Sequence, residues 1–215
     1  MVMLSILGTI GAGKSTLAQA ISQLAHWNFY EEPVKENPFL EDFYKDQKRW
    51  GLSLQLYMLH YRFKQHLQMM HSSINSVSDS SIFSDYCFAS MLYESDTITK
   101  AEYQLYLNAL ENMKTFISYP DLIVYIDCEP KRAIERINKR NRGFECGIPE
   151  SYLVALNKQY EKMLNKLSIH TQMLRISPFD DTESMMTEAG MIINIATGIN
   201  NRVTQWDKAI TEWKL

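Results

Sequence analysis

Gly8-Thr9-Ile10-Gly11-Ala12-Gly13-Lys14-Ser15-Thr16 gathers three glycines, a lysine and three hydroxyls around one G-x-x-x-x-G-K-[ST] signature. Residues of these types at this spacing hold phosphate. The glycines let successive backbone N–H groups point inward at phosphate oxygens, and a following helix adds the partial positive charge of its N-terminus. Lys14 supplies a cation for the β- and γ-phosphates, and the Ser15 hydroxyl can ligate Mg²⁺. The apolar run Val2-Met3-Leu4-Ser5-Ile6-Leu7 precedes the signature, and Leu17-Ala18-Gln19-Ala20-Ile21 follows it. Strand, loop and helix are therefore in the order the chemistry needs, and the stretch predicts a nucleoside triphosphate site.

Other chemistries find less support. Cys87, Cys128 and Cys146 are odd in number and far apart, with no C-x-x-C pairing. Neither a disulfide framework nor a zinc site is indicated, and each reads as a small buried apolar residue. The net charge of −3 gives no global reason to bind a nucleic acid polymer or an anionic membrane. No apolar run reaches membrane-spanning length, and a reducing, cytoplasm-like compartment fits best. At 215 residues, 46% hydrophobic and 22% charged, the chain reads as one ordinary globular domain over 1–215.

The elements that must position the phosphate site alternate between strand and helix, which predicts an α/β fold on a parallel sheet. Strands are expected at 2–7, 27–32, 74–81, 122–127 and up to 176, with Pro33 stopping the second. The third reads poorly because it is rich in serine. Helices are expected from Asn37-Pro38 to 44, then over 52–70, 86–93, 100–118, 130–139, 149–167 and 183–196, with a separate amphipathic one near 203–213. In the helix over 52–70, Leu52, Leu56, Leu59, Phe63, Leu67 and Met70 recur at three- and four-residue steps as one apolar stripe. Residues 139–147 form a basic loop.

A phosphate loop leaves many functions open. Four further stretches narrow them: Glu32-Pro33-Val34; Arg49-Trp50 followed by Gln55; Ser84-Asp85-Tyr86-Cys87-Phe88-Ala89-Ser90-Met91-Leu92-Tyr93-Glu94-Ser95; and Arg140-Asn141-Arg142 ahead of Gly147-Ile148-Pro149. In this order and spacing the chain resembles the deoxynucleoside kinase family, from its first strand to about residue 167. The resemblance implies a P-loop kinase fold: a five-stranded parallel sheet surrounded by helices, with an arginine-rich lid at about 136–147. It also implies transfer of phosphate from Mg-ATP to a deoxynucleoside 5′-hydroxyl, by a homodimer.

The same resemblance implies roles for individual residues. Glu32 is the general base, aided in catalysis by Lys14, Arg140 and Arg142. Asp79 holds the metal opposite Ser15. Gln55 reads the base edge, with Arg62 and Asp85 paired beside it; such a pair favours a purine or cytosine. Gln55 and Arg62 are seven residues apart, two helical turns, and so share a face. Phe88 stacks on the base, Ile10, Val34, Phe43 and Leu54 close the walls, and Tyr44 and Glu145 grip the sugar. Leu54 replaces an aromatic of the deoxycytidine kinases, which loosens the pocket. Arg136 and Arg140 contact the ATP phosphates, and Asp180, in Ser177-Pro178-Phe179-Asp180, lies where relatives cradle adenine.

One departure stands out: the chain reads Asp79-Ser80-Ser81 where the family carries arginine second. Losing a cation at developing phosphoryl charge costs ~10²–10⁴ in rate. A slow kinase, or one whose mobile arginines compensate, fits this change. So does a nucleotide-binding protein without full turnover. A nucleoside monophosphate kinase of related fold is the other alternative, although Gln55, Tyr44 and Glu145 suit an uncharged acceptor.

Overall fold

The structure is a computed structural model of residues 1–215, of which Pro33, Lys35, Glu36, Cys146 and 213–215 lie outside the described residues, as do the side chains of Phe144 and 200–212. The expectations for Pro33, Cys146 and the very end of the tail fall among these. The elements are β1 (Met3–Leu7), α1 (Lys14–Ala25), β2 (Asn28–Tyr30), α2 (Leu40–Lys45), α3 (Gln47–Met70), β3 (Ser76–Asp79) and α4 (Ile82–Glu94). They continue with α5 (Lys100–Lys114), β4 (Leu122–Ile126), α6 (Pro130–Arg140), a 3₁₀ turn (Gly143–Glu145), α7 (Glu150–Leu167), β5 (Gln172–Ile176) and α8 (Thr182–Glu212).

The five strands form one sheet in the order β2-β3-β1-β4-β5, with every pairing parallel. Parallel sheets are covered on both faces, which is why the central strands read as continuous apolar runs. Along β4, Leu122, Val124 and Ile126 join the core beneath α1, α6 and α8. Ile123 and Tyr125 join the opposite core, beneath α3, α4, α5 and α7. That alternation is the period of two of an extended chain.

The serine-rich third strand is real but short. Ser76 and Ser78 are buried, and their hydroxyls are satisfied locally: Ser78 Oγ donates to the carbonyl of Ser80 at 2.8 Å and lies 3.0 Å from Ser5 Oγ. A small hydroxyl with a backbone acceptor can be buried at little cost.

Three helices begin earlier than their apolar residues indicated. Asp46 caps α3 by accepting from the Arg49 amide, so the helix starts at Gln47 and runs through Gly51. Gly51 is no breaker: a Cβ there would come within 2.8 Å of Ile98 Cγ2, so glycine permits the close approach of α3 to the segment before α5. Ser81 and Ser84 form a reciprocal capping box that starts α4 at Ile82. Lys14 itself opens α1. At the other end, α8 continues without a break to Glu212, so the tail is no separate helix.

The buried face of α3 also differs from the expected stripe. It carries Gly51, Leu54, Gln55, Leu59, Arg62, His66 and Met69, whereas Leu52, Leu56, Phe63, Leu67 and Met70 are only half-buried. This helix faces a polar cavity. Its inward residues are therefore partly polar, and the apolar stripe marks the flank. His66 lies on this face, with Nε2 2.8 Å from the carbonyl oxygen of Ser118, and burial pulls its pKa down.

Candidate active site

All five strands deliver their carboxyl ends to one edge of the sheet, where ligands gather in open parallel sheets. A cavity of about 710 Å³ opens there, large enough for a nucleoside with phosphates beside it. The phosphate loop follows β1, Glu32 follows β2, Asp79 ends β3, the arginines of α6 follow β4, and Phe179 and Asp180 follow β5.

The loop has the conformation its glycines permit. Gly8, Gly11 and Gly13 have positive φ (152°, 79° and 104°), and a Cβ on Gly11 would lie 2.6 Å from the carbonyl oxygen of Ala133. Ile10, Gly11, Gly13, Lys14, Ser15 and Thr16 line the cavity, whereas Gly8, Thr9 and Ala12 form its support. Lys14 Nζ donates to the Thr9 carbonyl at 3.1 Å, and Arg136 ties the loop to α6 by donating to the Ala12 carbonyl at 2.8 Å. Arg136 also donates to the Phe179 carbonyl, and Arg132 holds Asp180 at 2.6 Å. The loops after β1 and β5 are thus cross-linked through α6. Asp180 remains largely exposed at the rim.

Ser15 Oγ donates to Asp79 Oδ2, while Asp79 Oδ1 is buried with no partner among the described residues. Burial raises the Asp79 pKa, and Glu32 raises it further; Lys14, the Ser15 hydroxyl and Arg62 oppose the shift. An unpartnered carboxylate oxygen beside a hydroxyl is a set of hard oxygen donors that fits Mg²⁺ sharing phosphate and water ligands. Among the described residues no cluster of three or more His, Cys, Asp or Glu could hold a metal without such help.

At the other end, Arg62 bridges two carboxylates: one guanidinium nitrogen donates to Asp85 and the other to Glu32. Arg62 and Asp85 are 4% and 2% exposed, and Glu32 is 24% exposed, toward the cavity. Gln55 lies one face-repeat before Arg62 and is equally buried. Asp85 Oδ2 and Arg62 Nε have no partner among the described residues. Val34, Phe43, Leu54 and Phe88 complete the wall, and Phe88 meets Tyr160 edge to face at 6.4 Å.

Tyr44 and Glu145 face the same cavity. Burial drives the Tyr44 phenol far up, with Tyr152, Glu145 and Glu32 adding to the shift. Arg140 donates to Glu145 and Arg142 lies 3.5 Å from it, so the two basic side chains gather on one buried carboxylate. The expected site residues are therefore brought to a single cavity or its immediate support.

Sequence reasoning missed Tyr152 and Tyr160 on α7, which line the cavity floor, and Arg132. Tyr160 is fully buried and its hydroxyl lacks a partner among the described residues. It sits within an apolar helical pattern, where an aromatic carries no functional signal. Ser80 also lines the cavity, in the left-handed region (φ 79°), with its hydroxyl 2.9 Å from Ser84 Oγ. Cys87 and Cys128 are buried, as expected, and burial raises both thiols. Among the described residues no helix is long and apolar enough to cross a membrane.

A phosphate loop, an acid at the next strand end and a nucleoside-sized cavity define a nucleotide-dependent phosphotransferase of α/β fold. The model of the deoxynucleoside kinase family matches residues 4–204, and the chain belongs to that family. It is 38% identical over 184 residues to the deoxyadenosine kinase of Dictyostelium discoideum, covering 85% of this chain and 75% of that one. It is 30% identical over 201 residues to the deoxyadenosine/deoxycytidine kinase of Bacillus subtilis, covering 92% and 91%. Among solved structures, the deoxyadenosine kinase from M. mycoides with the products dCMP and dCDP superposes with a TM-score of 0.81. Its identity is 31%, over 89% of this chain and 98% of that one. The same enzyme has also been solved with dATP.

Proposed function

We propose that the chain, acting as one unit over 1–215, phosphorylates the 5′-hydroxyl of a deoxynucleoside, with deoxyadenosine and deoxycytidine preferred, using Mg-ATP. The observation that carries this reading is the cavity itself. Phosphate-binding groups stand at one end, Gln55 and the Arg62–Asp85 pair at the other, and Glu32 has electrostatic contact with both.

Glu32 accepts the 5′-hydroxyl proton as the new O–P bond forms; the bond to the β-phosphate oxygen breaks and ADP leaves with its electrons. Lys14 and the loop amides hold the triphosphate, and Ser15 and Asp79 hold Mg²⁺, which neutralises phosphate charge when bound. The segment 136–147 acts as the lid, bringing Arg136, Arg140 and Arg142 toward the phosphates. Tyr44 and Glu145 bind the sugar, and Phe88 stacks on the base between Val34, Phe43 and Leu54. Asp180 with Phe179 borders the ATP adenine.

The preference for these two bases follows from hydrogen-bonding capacity. Asp85 Oδ2 can only accept, and both terminal nitrogens of Arg62 are already engaged. Adenine and cytosine carry their amino donor (N6 or N4) where guanine (O6) and thymine (O4) carry a carbonyl oxygen, and a donor at that position is what Asp85 Oδ2 can accept. Assay of the four deoxynucleosides and their monophosphates with ATP and Mg²⁺ is expected to rank deoxyadenosine and deoxycytidine first. Exclusive use of monophosphates would reject the reading.

The resemblance implies a homodimer, and the half-buried stripe of Leu52, Leu56, Phe63, Leu67 and Met70 on α3, part of which packs on the chain's own core, is compatible with one built through that helix. Sedimentation is expected to give twice the chain mass, and a monomer at all concentrations would contradict it.

A further inference from the structure

Resting on the proposed reaction, we infer that Arg62 is the positioning residue of the general base: its guanidinium holds Glu32 toward the reacting hydroxyl while anchored on Asp85.

Three observations carry the inference. Arg62 spans Glu32 and Asp85 with separate nitrogens, which a planar fork does without rotating. It is nearly inaccessible, on the inward face of the 24-residue helix α3, so the fork is held by packing and not by solvent balance. No other ion-pair partner is found for Glu32 among the described residues, although Lys14, Arg136, Arg140 and Arg142 line the same cavity. Their described contacts are elsewhere: Lys14 is on Thr9, Arg136 on Ala12 and Phe179, and Arg140 and Arg142 on Glu145.

Ser80, the cavity residue next to Asp79, brings no charge. It is 2% exposed and its hydroxyl is turned to Ser84. Orientation of the catalytic carboxylate therefore falls to the residue that also faces the base site. Base recognition and base catalysis then share one side chain. A nucleobase that pulls on Asp85 acts on Glu32 through a rigid bridge only one guanidinium wide.

The test is a double-mutant cycle in kcat at saturating nucleoside and ATP, on the full chain, with Arg62→Met and Glu32→Gln. A residue that acts only through Glu32 adds nothing once Glu32 is gone. Arg62→Met alone is expected to lower kcat about 10²-fold, the scale of a misplaced reacting group. The double variant should equal Glu32→Gln alone. Arg62→Lys, which keeps the charge but loses the planar two-nitrogen fork, should fall between wild type and Arg62→Met. Ser80→Arg in the Arg62→Met background offers Glu32 a second guanidinium and should recover kcat about tenfold without restoring nucleoside KM.

Additive losses in the cycle, or an Arg62→Met change confined to KM, would overturn the inference and leave the proposed reaction standing. If Arg62→Met does not fold because Asp85 is left unpaired, the cycle is run with Asp85→Asn in every arm, and melting curves confirm folding. Failure of the reaction itself is recognised separately, as wild-type protein that binds ATP and nucleoside but releases no ADP.

Discussion

Glu32→Gln is expected to lower kcat by about 10²–10⁴, the usual contribution of a positioned general base. ATP affinity should be little changed. The glutamine keeps the size and one acceptor oxygen of the carboxylate but cannot take the 5′-hydroxyl proton. Glu32 follows β2, not the phosphate loop, and its described bond is to Arg62. The triphosphate site should therefore be intact in the variant. Steady-state turnover with deoxyadenosine, together with calorimetric titration of Mg-ATP, measures the two effects separately. Turnover within a few-fold of wild type would remove Glu32 as the base. Loss of ATP binding would mean that the side chain supports the loop instead.

Lys14→Ala is expected to be comparably severe but of a different kind. The lysine opens α1 and its ammonium lies on the Thr9 carbonyl at 3.1 Å, one side-chain swing from phosphate bound over the loop. Removing a preorganised cation from developing phosphoryl charge costs about 10²–10³ in kcat. In the proposed reaction the lysine also contacts the ground-state triphosphate, so KM for ATP should rise as kcat falls. Glu32→Gln should not show that joint effect. Unchanged KM and kcat would place the triphosphate away from this loop, and with it the whole orientation of donor and acceptor.

The two ends of the cavity differ in how far they could be read from the amino acids alone. The phosphate end is contiguous: nine residues in one strand–loop–helix turn supply backbone donors, cation and hydroxyl. The nucleoside end is assembled across α2, α3, α4, α7 and the 3₁₀ turn. Only the resemblance to a family points to Gln55, Arg62 and Asp85 there, and nothing in the sequence points to Tyr152 and Tyr160. The apolar stripe on α3 shows the reason. A helix that faces a polar ligand carries polar residues on its inward side, so counting hydrophobic residues selects the wrong face. The early starts of α3 and α4 were hidden for a related reason, since short polar caps, Asp46 and Ser81, set them ahead of the apolar residues.

Chain order and local chemistry determined the parallel α/β fold, the phosphate loop and the place of Glu32 after the second strand. These rest on periodicity and on bonds between near neighbours, which are written in consecutive residues. Tertiary structure alone decided that Arg62 would join Glu32 and Asp85, 30 and 23 residues away in the chain, and that Ser80 would turn its hydroxyl to Ser84. It also left Asp79 and Asp85 each with one oxygen unpartnered among the described residues. Which buried charge meets which is settled by packing among distant elements, because a desolvated ion is held only where a partner is carried to it.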